Sequence, residues 1–264
     1  MGFGMGYIGS TLPFLLVILG ILNVDKLPFT TDQIIRFSFL LTAAWWFFFT
    51  LPYWKNVQQL TNVEPDENII KSSLIRLKKT LGNIRHNRNI FLFLLAYFLY
   101  IDGVGTIIKM ATAVGADIGI YSTVMIVVLM IVQVVAFPFT ILYGYLSNRF
   151  GDKKMIYVGI ATYIFISIFA LTMDTTVDFF ILAFLVGTAQ GGIQSLSRSM
   201  FGKLVPENRS NEYFGIYNVV GKFSSIIGTI LVGVIRQATG NSLNGVFALI
   251  ILFIIGGLLL FPVQ

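Results

Sequence analysis

Eight apolar runs, each long enough to cross a lipid bilayer and each closed by a polar turn, leave this chain few ways to fold. They fall at about 2–22, 32–54, 89–109, 118–146, 154–173, 177–199, 212–235 and 242–262. A helix needs about 20 apolar residues to span a hydrocarbon layer about 30 Å thick, whereas a membrane strand alternates apolar and polar positions. These runs do not alternate, so helices are expected and a barrel is not. With 56% hydrophobic residues, 11% charged residues and a mean hydropathy of +0.83, a soluble domain of 264 residues could not bury its apolar surface. Backbone groups in lipid must pair internally, which a helix does within one segment. The expected fold is all-α and integral to the membrane, with eight transmembrane helices.

The charges set an orientation. Connection 55–88 holds Lys55, Lys71, Arg76, Lys78, Lys79, Arg85 and Arg88. Turn 147–154 adds Arg149, Lys153 and Lys154, and stretch 198–211 adds Arg198, Lys203 and Arg209. If the spans alternate, all of these share one side, against Lys26, Arg36, Lys109 and Arg236 on the other. Basic loops stay in the cytoplasm, so both termini are expected there. The net charge of +6 therefore reflects membrane insertion, and nucleic acid is not an expected partner. There is no cysteine, and the single histidine, His86, lies in a basic stretch without companions that could chelate. No metal or cofactor is expected, and no Walker-type phosphate loop is present.

Connection 55–88 has its own pattern. Ile70, Leu74, Leu77, Leu81 and Ile84 recur at helical spacing, with bases on the remaining face. This predicts an amphipathic helix lying in the cytoplasmic headgroup layer, with membrane lipid as its partner. A partner-docking helix is the alternative. Glu64, Asp66 and Glu67 precede it and read as a helix-leading, capping segment.

Ionisable groups at bilayer depth persist chiefly where they face a cavity or a partner. At 1.5 Å per residue, Asp102, Lys222 and Gln190 each lie ~15–20 Å from a span end, near mid-membrane. Gly103 and Gly105 follow Asp102 and predict a break in the third span, of the kind that exposes backbone groups to a solute. Lys109 is two turns on and is expected to snorkel to the outer headgroups. Gln190, Gln194 and Arg198 form one stripe, which either lines a solute path or bonds neighbouring helices; Arg198 is expected to anchor at headgroup phosphates. Asn218 and Lys222 form a second stripe. Asp102 is the only acid deep in any span, so it and Lys222 are expected to meet or to flank one cavity. One anion with one cation suits a zwitterion and could couple to a proton or ion. Pro13 and Pro138 are expected to kink their helices.

The turn Gly144-Tyr-Leu-Ser-Asn-Arg-Phe-Gly-Asp-Lys-Lys154 resembles the signature loop of the major facilitator superfamily, G-x-L-(A/S)-D-R-x-G-(R/K)-(R/K). Asn148 and Asp152 depart from it. In that superfamily the loop joins the second and third helices of a six-helix half and latches helix ends together. The resemblance thus implies a cytoplasmic latch at Gly144, Asn148, Arg149, Gly151 and Lys153, with Asn148 lacking the usual charge. It also implies a register. Residues 89–264 are one complete six-helix half, 55–88 is the central cytoplasmic connection, and 1–54 holds the last two helices of the other half. Four helices of that half would then come from elsewhere, on a longer chain or from a partner chain. Three further runs, 97–111, 187–206 and 209–223, are similar to the bacterial branch of the vacuolar amino-acid effluxer group, whose fungal members are associated with releasing amino acids from vacuoles.

The expected function is therefore a secondary transporter of a small polar solute, amino acids among the candidates, in a bacterial cell membrane. Asp102, Lys222, Gln190, Gln194 and Asn218 are its expected substrate and coupling residues. No catalytic residues are assigned. Two other readings stay open: a non-transporting fragment or subunit, and a membrane enzyme acting on lipid-linked substrates, for which the acids are too scattered to pair.

Overall fold

The computed structural model describes residues 2–58 and 69–264, and the described residues contain helices and no strands. The helices run α1 (Gly2–Leu22), α2 (Thr31–Asn56), α3 (Ile69–His86), α4 (Arg88–Asp117), α5 (Ser122–Phe150), α6 (Asp152–Phe169), α7 (Thr176–Leu204), α8 (Ser210–Thr239), α9 (Ser242–Ala248) and α10 (Ile250–Leu260). α9 and α10 together form one span, so eight helical segments are long and apolar enough to cross a membrane. The protein is an integral membrane protein with the all-helical architecture expected from its sequence.

Helix ends follow local chemistry. Thr30 with Gln33, and Thr175 with Asp178, form capping boxes at the starts of α2 and α7. Gly240 closes α8 in the left-handed conformation. The third span runs to Asp117, eight residues past the expected 109, so Lys109 lies inside a helix and not at its end.

Close packing depends on small residues, because lipid offers no hydrophobic drive between helices. α7 lies against α5 through Gly187, Gly191 and Gly192, where an added Cβ would fall 2.8 Å from Val135, 1.7 Å from Thr140 Oγ1 and 2.3 Å from the Tyr143 ring. α10 lies against α4 at Gly256, whose Cβ would meet the Tyr100 amide at 3.0 Å. α1 leans on α5, with Gly4 against Phe137 and Ile141. α2 exposes almost its whole surface, including Trp46, Phe47, Phe48, Phe49 and Trp54, and only Ile34 is buried. Such an apolar surface suits acyl chains or neighbouring helices.

α3 divides its apolar residues. Leu74, Leu77 and Leu81 are exposed, while Ile84 and Thr80 are buried. Thr80 donates to Glu212 Oε2 at the start of α8 and so ties the amphipathic helix to the bundle. The side chain of Ile70, and Glu64, Asp66 and Glu67, lie outside the described residues.

The expected latch turn is a tight corner. α5 continues to Phe150, and Gly151 takes φ +91°, which a side chain would disfavour, before α6 begins. Asp152 is buried and accepts from Lys203 at 2.8 Å and Ser199 at 3.0 Å, which joins the corner to α7. Lys153 donates to the carbonyls of Phe261 (2.7 Å) and Val263 (2.6 Å) past the end of α10, where backbone acceptors lack helical partners. Asn148 and Arg149 are exposed, and Arg149 lies 5.4 Å from the Phe150 ring. Glu212 turns to α3 and not to this corner.

Candidate functional site

Residues four apart on a helix share a face. Tyr97, Ile101, Gly105 and Lys109 of α4 recur at that interval, and so do Gln194 and Arg198 of α7 and Asn218 and Lys222 of α8. The structure turns these three stripes toward one another. They line an open cleft of about 480 Å³, with Phe3 of α1 at its margin. Along the helix axes, Tyr97 lies ~14 Å from the start of α4 and Lys222 ~18 Å from the start of α8, in helices ~45 Å long, so the cleft lies toward the middle of the spans.

One wall is aromatic, and most of the remaining lining is polar or charged. Tyr97 stacks on Tyr217 with centroids 4.3 Å apart, and Tyr217 stacks on Phe201 at 4.9 Å, which fixes one side as a rigid surface. Arg198 lies 4.9 Å from the Phe214 ring and donates to Asn218 Oδ1 at 3.3 Å. This corrects the expectation that Arg198 anchors at headgroups: the guanidinium is held on α8, inside the cleft. Lys109 donates to Ser225 Oγ, so it crosses to α8 and does not snorkel. Lys222 is exposed to the cleft.

Asp102 does not meet Lys222. Its side chain is fully buried behind the cleft wall, where Oδ2 accepts from the Gly228 amide at 2.8 Å and Oδ1 from Thr106 Oγ1 at 3.2 Å. The ion pairs among the described residues are Asp32–Arg36, Asp152–Lys203 and Asp117–Arg236. The physical reason lies in α8. Ser225 has non-helical angles (φ −70°, ψ 16°), and amides just past such a kink lose regular partners. The carboxylate takes one of them. α4, by contrast, runs unbroken through Gly103 and Gly105, so the expected break is on the facing helix. Gly103 instead makes room for the Phe253 ring, 2.6 Å from where a Cβ would stand.

Gln190 and Gln194 divide. Gln194 lines the cleft and accepts from the Tyr7 hydroxyl of α1 at 3.4 Å. Gln190 lies one turn deeper, and its Oε1 is buried without a hydrogen-bond partner among the described residues. The sequence reading missed Tyr97, Tyr217 and Ser225. The four-residue interval linking Tyr97 to Lys109 was available as a signal, but aromatic residues in a span read equally well as lipid-facing. No cluster of His, Cys, Asp or Glu that could hold a metal occurs among the described residues.

An all-helical membrane bundle with a polar cleft at mid-depth is the build of a major-facilitator-type transporter. The chain belongs to the family described as vacuole effluxer Atg22 like, whose pattern matches residues 1–264. It is 52% identical over 257 residues to "Uncharacterized MFS-type transporter YxiO" of Bacillus subtilis, covering 97% of this chain and 60% of that protein. It is 25% identical over 272 residues to "Autophagy-related protein 22-2" of Aspergillus clavatus, covering 91% and 43%. With "Autophagy-related protein 22" of Vanderwaltozyma polyspora it shares 26% over 260 residues, covering 85% and 49%. The chain thus spans 60% or less of the length of these relatives.

Proposed function

We propose that the chain carries the solute cleft of a secondary transporter that moves a small polar solute, amino acids among the candidates, across the bacterial cell membrane by alternating access. One observation carries this reading. Lys109, Gln194, Arg198, Asn218 and Lys222 come from three helices and converge on one open cleft at mid-membrane, where polar groups persist chiefly for function. In this reading residues 89–264 form one six-helix half, 55–88 the cytoplasmic connection, and 1–54 two helices of the other half. Both termini face the cytoplasm, and four further helices complete the transporter, on the same polypeptide or another. Gln194, Asn218 and Lys222 face the solute. Asp102 holds the bend of α8 behind them, and Gln190 meets the solute path only when α1 moves. The corner from Gly144 to Lys153 is the latch, with Asp152 and Lys153 as its fastening groups in place of Asn148. The membership of MFS-type transporters in the same family supports the reading.

The test is uptake of labelled amino acids and organic acids by membrane vesicles from bacteria that produce the protein. Asn218→Trp places an indole in the cleft without disturbing a buried contact, since Asn218 is exposed there. Saturable uptake that falls at least about tenfold in Asn218→Trp is expected. Uptake equal in vesicles with native protein, with the variant and with none would overturn the proposal.

A further inference from the structure

Three cations line the cleft: Lys109, Arg198 and Lys222. No acid lines it among the described residues. Every acid near it is committed elsewhere: Asp102 to Gly228 and Thr106, Glu212 to Thr80, Asp117 to Arg236. The neutral groups beside the cations do not cancel their charge. Lys109 spends one N–H on Ser225 and keeps two, Arg198 spends one on Asn218 and keeps the remainder, and Lys222 has no ion-pair partner among the described residues. Asp102, behind the wall beside Lys109, offsets at most one of the three positive charges that this chain brings to the cleft, and an anion relieves the repulsion that remains.

From this excess of positive charge we infer that the solute is a small organic anion with at least two acidic groups, carboxylate or phosphate, and not a neutral amino acid. The inference rests on the transport reading above and deepens it. Arg198 is the natural fork for one oxyanion, because its guanidinium is already oriented by Phe214 and Asn218. Lys109 and Lys222 act as point charges for the second. The stacked Tyr97–Tyr217 wall accommodates the carbon skeleton between them. The zwitterion expected from an Asp102–Lys222 pair is disfavoured, since its ammonium would face three cations and no exposed carboxylate.

Thermal unfolding of the purified protein in neutral detergent tests this, with succinate, glutamate, 3-phosphoglycerate, leucine, arginine and dihexanoylphosphatidylglycerol as probes. The expected result is saturable stabilisation by succinate, glutamate or 3-phosphoglycerate but not by leucine or arginine. The apparent affinity should weaken at least about tenfold in Lys222→Gln and in Arg198→Gln, and stay unchanged in Lys154→Gln, an exposed residue outside the cleft. Added salt should weaken it too. Stabilisation by leucine or arginine, sensitive to Lys222→Gln, with the anions inert would overturn the inference and leave transport standing. Stabilisation by the short-chain phospholipid alone, with the same sensitivity, would show that lipid phosphate neutralises the cleft and would also overturn it. Inertness of all probes would overturn both readings.

Discussion

Gly191→Val is expected to lower the stability of the bundle by about 3 kcal/mol, the upper end of the cost of overpacking a close-packed core. At Gly191 an added Cβ would lie 1.7 Å from Thr140 Oγ1, 3.0 Å from Tyr7 and 3.1 Å from the Ala136 carbonyl. A hydroxyl can rotate away, but the carbonyl belongs to the backbone of α5 and moves only with its helix. Valine would therefore force α7 and α5 apart along the seam where Gly187 and Gly192 also leave no room for a side chain. Gly233 of α8, with nothing within 4 Å of its would-be Cβ, is the control. Gly233→Ala should be neutral or mildly stabilising, because alanine is the better helix former. Denaturant unfolding in micelles checks both. Equal effects of the two substitutions would show that the seam does not depend on small residues.

Asp102→Ala is expected to cost about 2–3 kcal/mol, and Asp102→Asn clearly less. The carboxylate is the acceptor for the Gly228 amide and for Thr106, and all three are buried. Alanine leaves both donors unpaired in a medium without water, and such orphaned groups carry their full desolvation penalty. Asparagine retains one acceptor oxygen for the amide. Because Gly228 follows the kink at Ser225, loss of the acceptor should also loosen the outer half of α8. Faster hydrogen exchange at residues 226–230 in Asp102→Ala, but not in Asp102→Asn, is the expected sign. Identical stability of both variants would remove Asp102 from the account of the bend.

What the sequence disclosed, and what it hid, follows from the reach of each kind of signal. Spans were legible because hydropathy is additive along the chain: α4 to α8 overlap the expected runs, with ends that differ by up to eight residues because local caps, not hydropathy, set where a helix stops. Positions of Asp102, Lys222 and Gln190 along their helices could be estimated because helical rise is constant. Partner choice was not. Asp102 and Lys222 were matched by elimination among side chains, but a backbone amide freed by a kink is also a partner for a carboxylate, and no residue letter announces it. The kink lies at Ser225, without proline or glycine at the position, whereas α4 runs unbroken through Gly103 and Gly105, and Gly103 makes room for the Phe253 ring. Lys109 was misplaced because the third span was drawn too short. Two more turns of helix put its ammonium out of reach of the outer headgroups and beside Ser225.

A polar cleft between α4, α7 and α8, open to solvent, is the feature on which transport depends. These 264 residues hold no cysteine, so a thiol introduced here is the only one among them and makes the cleft directly measurable. Asn218→Cys faces the cleft, whereas Ile230→Cys, at a position 60% exposed on the same helix, lies outside the cleft lining and is expected to face the acyl chains. In proteoliposomes a charged, lipid-insoluble thiol reagent should label Cys at position 218 readily and Cys at position 230 scarcely at all. Labelling at 230 with none at 218 would contradict the account.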